Sequence, residues 1–166
     1  MRDGEGVADM RFIARHEAAV DEKRRVTIPA SFRTVLRAGR AEGDDVQIYV
    51  WKKPGAPFLE GAGEAYIARL EAALDELAAS DPEGAERLSA AIFGGARALG
   101  LDGTGRIVLP ADIAESAGIT DRAVFAGMGA YFRLMAPSSE AAGPVDEALY
   151  AKVHAMARRP AGTLAP

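Results

Sequence analysis

The chain has 166 residues, 49% of them hydrophobic, with no cysteine and a formal net charge of −4. That length supports a buried core in one domain or two small ones, and without a thiol neither a disulfide nor a thiolate metal site can form. The start carries Asp3, Glu5 and Asp9 and no apolar run, unlike a secretory leader, and no apolar stretch approaches the ~18 residues of a membrane span, so a cytoplasmic protein is expected.

In chain order, residues 1–9 are polar and read as a disordered extension. Residues 12–20 read as a strand, and His16 within it as a surface or hydrogen-bonded side chain. Residues 20–30, VDEKRRVTIPA, follow. Asp21 ends the strand, three residues turn the chain, and Arg25 opens a second strand that Pro29 stops. Phe32, Val35 and Leu36 then fall on one face of a short helix that Gly39 ends, with Arg33, Arg37 and Arg40 flanking the stripe. Residues 46–51, VQIYVW, are β-branched and aromatic and form the best strand signal. After a turn-rich break at residues 52–57, Ile67, Leu70, Leu74 and Leu77 mark an amphipathic helix over residues 63–79. A further helix begins around Ser80 to Glu83, carries Leu88, Ala91 and Ile92, and fails at Gly94 and Gly95.

Residues 96–101 lead into a second copy of the first motif, LDGTGRIVLPA at residues 101–111, which aligns with the first at a constant offset of 81 residues. Asp21, Arg25, Pro29 and Ala30 answer to Asp102, Arg106, Pro110 and Ala111. Here the turn is Gly103, Thr104 and Gly105, and glycine permits the positive φ of a tight turn. Alternation then places Ile107 and Leu109 on one face and Arg106 and Val108 on the other. Pro110 opens a short helix that stops at Gly118, with Asp112 near its positive end. Two short strands follow over residues 123–128 and 131–135. A terminal helix spans residues 145–158 with Leu149, Val153 and Met156 on one face, and the chain frays from Pro160. One small unit is duplicated.

Two readings fit an Asp and an Arg flanking a three-residue turn. One is a hairpin ion pair worth ~0–1 kcal/mol when exposed; the other is a carboxylate that holds a guanidinium for an anionic partner. Charge is unequal between the copies. Residues 11–40 carry a net +5 and residues 99–134 a net −1, which points to the first copy as the one that meets phosphate. Lys23, Arg24 and Arg25 at a loop tip can reach phosphates, Arg33 belongs to the same basic segment, and an arginine fork can read guanine in the major groove.

The segment from Asp21 to Arg33, DEKRRVTIPASFR, with DGTGRIVLP beginning at Asp102, resembles MraZ, a bacterial family of transcriptional regulators built from two SpoVT-AbrB domains. The resemblance runs over residues 10–134. It departs from the pattern at Arg24, where the family has glycine, whereas Gly105 keeps it. If that position needs positive φ, arginine costs ~1 kcal/mol there.

The resemblance implies an α+β fold of two tandem swapped-hairpin AbrB-like β units related by a pseudo-two-fold repeat. The units would be residues 10–58 and 94–138, with a helical connector at 59–93 and a C-terminal helix and tail at 139–166. Arg25 and Arg106 would be the DNA-contacting motif arginines, positioned by Asp21 and Asp102. The implied partners are double-stranded promoter DNA with direct repeats and further copies of the chain in a ring-shaped homo-oligomer. The implied role is repression of the division and cell-wall gene cluster at the nucleoid, with no cofactor, metal, membrane or small-molecule substrate.

For catalysis the chain offers little. Its only histidines are His16 and His154, and a nucleophile–base–orienter set is hard to build from them. Asp21 and Asp102 each precede an arginine by four residues, which favours an ionised carboxylate over a proton donor. The glycines of GLDGTGR lack a Walker lysine and do not match GxGxxG. The rival to the DNA-binding reading is a ring-forming scaffold in which DNA binding has lapsed, given Arg24 and the acidic balance.

Overall fold

The computed structural model describes residues 11–139 and 143–160; the disorder expected for residues 1–9 and most of the expected frayed tail fall outside them. The fold is α+β. Its strands are β1 (Arg15–Ala19), β2 (Arg25–Thr27), β3 (Gln47–Lys52), β4 (Leu59–Ala62), β5 (Arg97–Gly100), β6 (Arg106–Val108), β7 (Arg122–Gly127) and β8 (Phe132–Met135). The helices are α1 (Ala30–Arg37), α2 (Glu64–Ser80), α3 (Pro82–Ile92), α4 (Ala111–Ser116) and α5 (Glu147–Ala157).

Six strands form one antiparallel sheet in the order β1-β7-β8-β4-β3-β5, and β2 pairs with β6 in a separate ribbon. The hairpins β3–β4 and β7–β8 meet edge to edge, and each is flanked by a strand from the other copy of the motif. Arg15 faces Ala126 while Arg97 faces Val50, and Leu59 faces Leu134 while Gly61 faces Phe132. Alternation explains the two faces. Ile48 and Val50 point into a core shared with Val26, Ile28, Ile107 and Leu109 of the ribbon, whereas Trp51 and Ala62 pack with Ile67 on the opposite face. Phe32 sits fully buried in the main core, its ring centroid 5.1 Å from Phe12, 5.4 Å from Phe132 and 6.1 Å from Phe125.

The expected elements form, with instructive differences. The first strand starts later than the expected residues 12–20 because Ala14 adopts φ +75°, leaving Phe12 in an isolated bridge to Gly129. His16 is half-buried, edge-on against Phe32, and its Nε2 has no hydrogen-bond partner among the described residues. Pro29 and Pro110 stand at the N-cap position, one residue ahead of their helices. Asp81 caps α3 by accepting from the Gly84 N–H at 2.9 Å. Leu149, Val153 and Met156 of α5 share one face yet remain about half exposed, and α5 buries none of its residues against the described chain.

Strand β4 was not apparent in the sequence, since LEGA lacks the β-branched and aromatic residues that signal a strand. Its smallness is the reason it fits. A Cβ on Gly61 would lie 2.4 Å from the ring of Phe132, its partner across β4–β8, so the buried ring lies directly on the backbone. Gly61→Ala is therefore expected to destabilise by ~1–3 kcal/mol, read as a lower urea midpoint at unchanged slope. An unchanged midpoint would mean that Phe132 has room to move.

Candidate nucleic-acid interface

The two motif turns share one geometry. In the first, the Arg24 N–H donates to the Asp21 carbonyl at 2.9 Å and the Asp21 N–H to the Arg25 carbonyl at 3.1 Å. Oδ1 of Asp21 accepts from the N–H groups of Lys23 (2.9 Å) and Arg25 (2.8 Å), and Oδ2 accepts from Nε of Arg25 at 2.7 Å. In the second, Oδ1 of Asp102 accepts from the Thr104 N–H (2.9 Å), the Thr104 hydroxyl (2.8 Å) and the Arg106 N–H (2.9 Å), and Oδ2 accepts from Nε of Arg106 at 3.2 Å. Each aspartate thus closes its own turn and aims its own arginine. An ion pair is present in each turn, and its carboxylate is also anchored by backbone amides that an ordinary exposed pair lacks. Nε is engaged in each pair, and no hydrogen bond of the terminal guanidinium nitrogens is found among the described residues.

The residue before each arginine needs the left-handed region. Gly105 has φ +84°, and Arg24 adopts φ +62°, a conformation strained for a side chain with a Cβ. Arg24 is exposed overall, and its Nε donates across the ribbon to the Leu109 carbonyl at 3.0 Å. Nη1 of Arg33 donates to the Ile28 carbonyl at 2.5 Å. Lys23 is exposed at the tip.

Ribbon pairing joins the two turns. Arg25 faces Val108 and Thr27 faces Arg106, while Val26 and Ile107 point into the core. Cross-links at 2.9 Å run from the Ile28 N–H to the Gly105 carbonyl and from the Leu109 N–H to the Arg24 carbonyl. The outer face therefore presents Arg25, Thr27, Arg106 and Val108 together, with Val108 51% exposed. Alternation placed Arg106 beside Val108 along one strand, but nothing local indicates that Arg25 and Thr27 complete the surface. Among the described residues, no group of three or more His, Cys, Asp or Glu could hold a metal, and no helix is long and apolar enough to cross a membrane.

No family model matches the chain. Curated relatives do. The transcriptional regulator MraZ of Gluconobacter oxydans is 35% identical over 154 residues, covering 90% of each chain. That of Xanthobacter autotrophicus is 34% identical over 127 residues, 76% of this chain and 78% of its own, and that of Rhodospirillum rubrum is 36% identical over 130 residues, 77% and 81%. The chain belongs to the MraZ family. Its relatives are named as transcriptional regulators, which agrees with the resemblance carried by the doubled motif.

In this MraZ-family chain the turn carboxylates are held in their ionised form. The Arg25 amide is the largest influence lowering the Asp21 pKa, opposed by partial desolvation and assisted by the Arg25 guanidinium. Asp102 is held further below the ordinary 3.8, first by the Arg106 amide and then by the Thr104 hydroxyl. A carboxyl whose pKa falls on folding stabilises the native state above its unfolded value and loses that effect as pH drops through the folded one. Stability should accordingly decline as pH falls below 3.8. Asp102→Asn should lower stability at neutral pH and flatten that acid limb, measured by urea unfolding across pH. A limb as steep as in the parent protein would show that Asp102 is not linked to folding.

Proposed function

We propose that the protein is a sequence-specific DNA-binding transcriptional regulator whose β2–β6 ribbon enters the major groove. A two-stranded ribbon fits that groove, and a guanidinium fork matches guanine O6 and N7. The observation that carries this reading is the pair of arginines, Arg25 and Arg106, each fixed by its own aspartate on one exposed ribbon face. Lys23 would meet phosphate, Thr27 and Val108 would offer methyl groups to thymine, and Arg24 and Arg33 would add positive field from behind. The two motif-bearing units, expected at residues 10–58 and 94–138, would be SpoVT-AbrB halves followed by the 139–166 segment; the expected helical connector at 59–93 begins instead with strand β4, which completes the first unit's hairpin, so that α2 and α3 alone join the halves.

Net charge of −4 gives a single chain poor long-range attraction to DNA. Several copies on one rigid assembly would raise the effective concentration of each contact. We therefore read the active form as a ring-shaped homo-oligomer on direct repeats in its own promoter, repressing the division and cell-wall gene cluster. The half-exposed stripe of α5 supports self-association. It equally suits a ring-forming scaffold without DNA, and a gel shift on the DNA upstream of the gene, with a short direct repeat as the specific probe, separates the two. Binding only to unrelated DNA, or none, would favour the scaffold. Sedimentation at micromolar concentration should show a species larger than a dimer; monomer alone would remove the ring and its avidity.

Geometry at the two tips is matched, so their difference is one of field: a net +5 over residues 11–40 against −1 over residues 99–134. Arg25→Ala should cost ~1–3 kcal/mol of DNA binding and relax sequence preference. Arg106→Ala should cost less. Titration of both variants in intact assemblies at one salt concentration decides this, and an equal or larger loss for Arg106→Ala would overturn assignment of the main contact to the first copy.

A further inference from the structure

The 81-residue offset maps Gly105 onto Arg24, Ile28 onto Leu109 and Arg33 onto Ala114. Each half of the ribbon ends in a carbonyl just before a proline, at Ile28 and at Leu109, and a guanidinium donates to both. The two guanidiniums come from different places. At Ile28 the donor is Arg33, from helix α1 of the same copy. Its Cδ, Nη1 and Cζ lie 2.7–2.9 Å from where a Cβ on Gly105 would stand. Arg33 thus occupies the space that a side chain on the opposite turn would need. At Leu109 the residue equivalent to Arg33 is Ala114, a buried methyl, and the turn position carries Arg24, whose Nε reaches the same carbonyl.

We propose that Arg24 is a positioning residue that replaces, from the turn, the guanidinium that Ala114 does not supply from the helix. Either the helix carries arginine and the turn glycine, or the helix carries alanine and the turn arginine. The left-handed φ of +62° at Arg24 is retained because the side chain clamps the first turn to the second copy. Two such clamps, one per half, hold the Asp21–Arg25 and Asp102–Arg106 pairs at fixed separation on the ribbon. The effect on DNA rests on the DNA-binding reading; the exchange itself does not.

The test is a double-mutant cycle in the full chain with Arg24→Gly, Ala114→Arg and the two combined, which leaves net charge unchanged. Ala114→Arg alone meets the Cβ of Arg24 and should lower the melting temperature by at least ~3 °C, the shift that ~1 kcal/mol produces in a chain of this size, or prevent folding. Arg24→Gly alone should gain from relief of strain but lose the clamp. The combination should fold and return to the parent melting temperature or above it, a strongly non-additive result. Additive effects, or a combination no better than Ala114→Arg, would overturn the exchange. Specific DNA affinity of Arg24→Gly, measured where it is fully folded, should fall several-fold and recover in the combination. A folded Arg24→Gly that binds as tightly as the parent would remove the positioning role. Failure of the parent protein to bind any upstream DNA would count against the DNA-binding reading, and the stability cycle would still decide the exchange.

Discussion

Strands β2 and β6 have three residues each, and each sends one side chain inward: Val26 and Ile107, both 1% exposed. Such short strands cannot stand alone, since too little apolar surface is buried to offset ordering the chain. They pair with one another, are bonded at both ends by Ile28 to Gly105 and Leu109 to Arg24, and cover a core drawn from both copies of the repeat. The same exchange recurs in the large sheet, where β1 completes the β7–β8 hairpin and β5 completes the β3–β4 hairpin. Neither copy closes its own sheet.

This exchange turns two turns remote in sequence into one surface. Each aspartate is committed to the backbone amides of its turn before it meets its arginine, so the guanidinium is oriented by a group that cannot easily swing away. An ordinary surface ion pair contributes little because two long side chains must be ordered for it. Here ordering of the carboxylate is shared with turn formation, and the lowered pKa of Asp21 and Asp102 follows from those amides more than from charge.

Local matching of the two turns does not extend to their surroundings. The first lies in a segment rich in arginine and the second in one that is slightly acidic, and the helices that cover the opposite face, α2 and α3, follow the first copy alone. Repetition supplied two similar frames, and the divergent segments around them distinguish one end of the ribbon from the other.

Much of this is legible in the residues alone. The 81-residue offset, the Asp and Arg four residues apart, the prolines that end both short strands and the positive φ expected before each arginine all follow from local stereochemistry, because a turn is decided by its own few residues. Other features depend on partners far along the chain. Strand β4 exists because Gly61 accepts the ring of Phe132, and the shortened β1 reflects Ala14 at positive φ. The exposed face of α5 could be drawn from spacing, but not that the described chain leaves it uncovered. The reach of Arg24 to the Leu109 carbonyl and the packing of Arg33 over Gly105 depend on the strand exchange. Local sequence determined the two motif turns, most of the strands and the helix starts; only the tertiary structure decided the existence of β4 and which copy each strand would join, since burial of these short apolar strands is satisfied across the repeat and not within it.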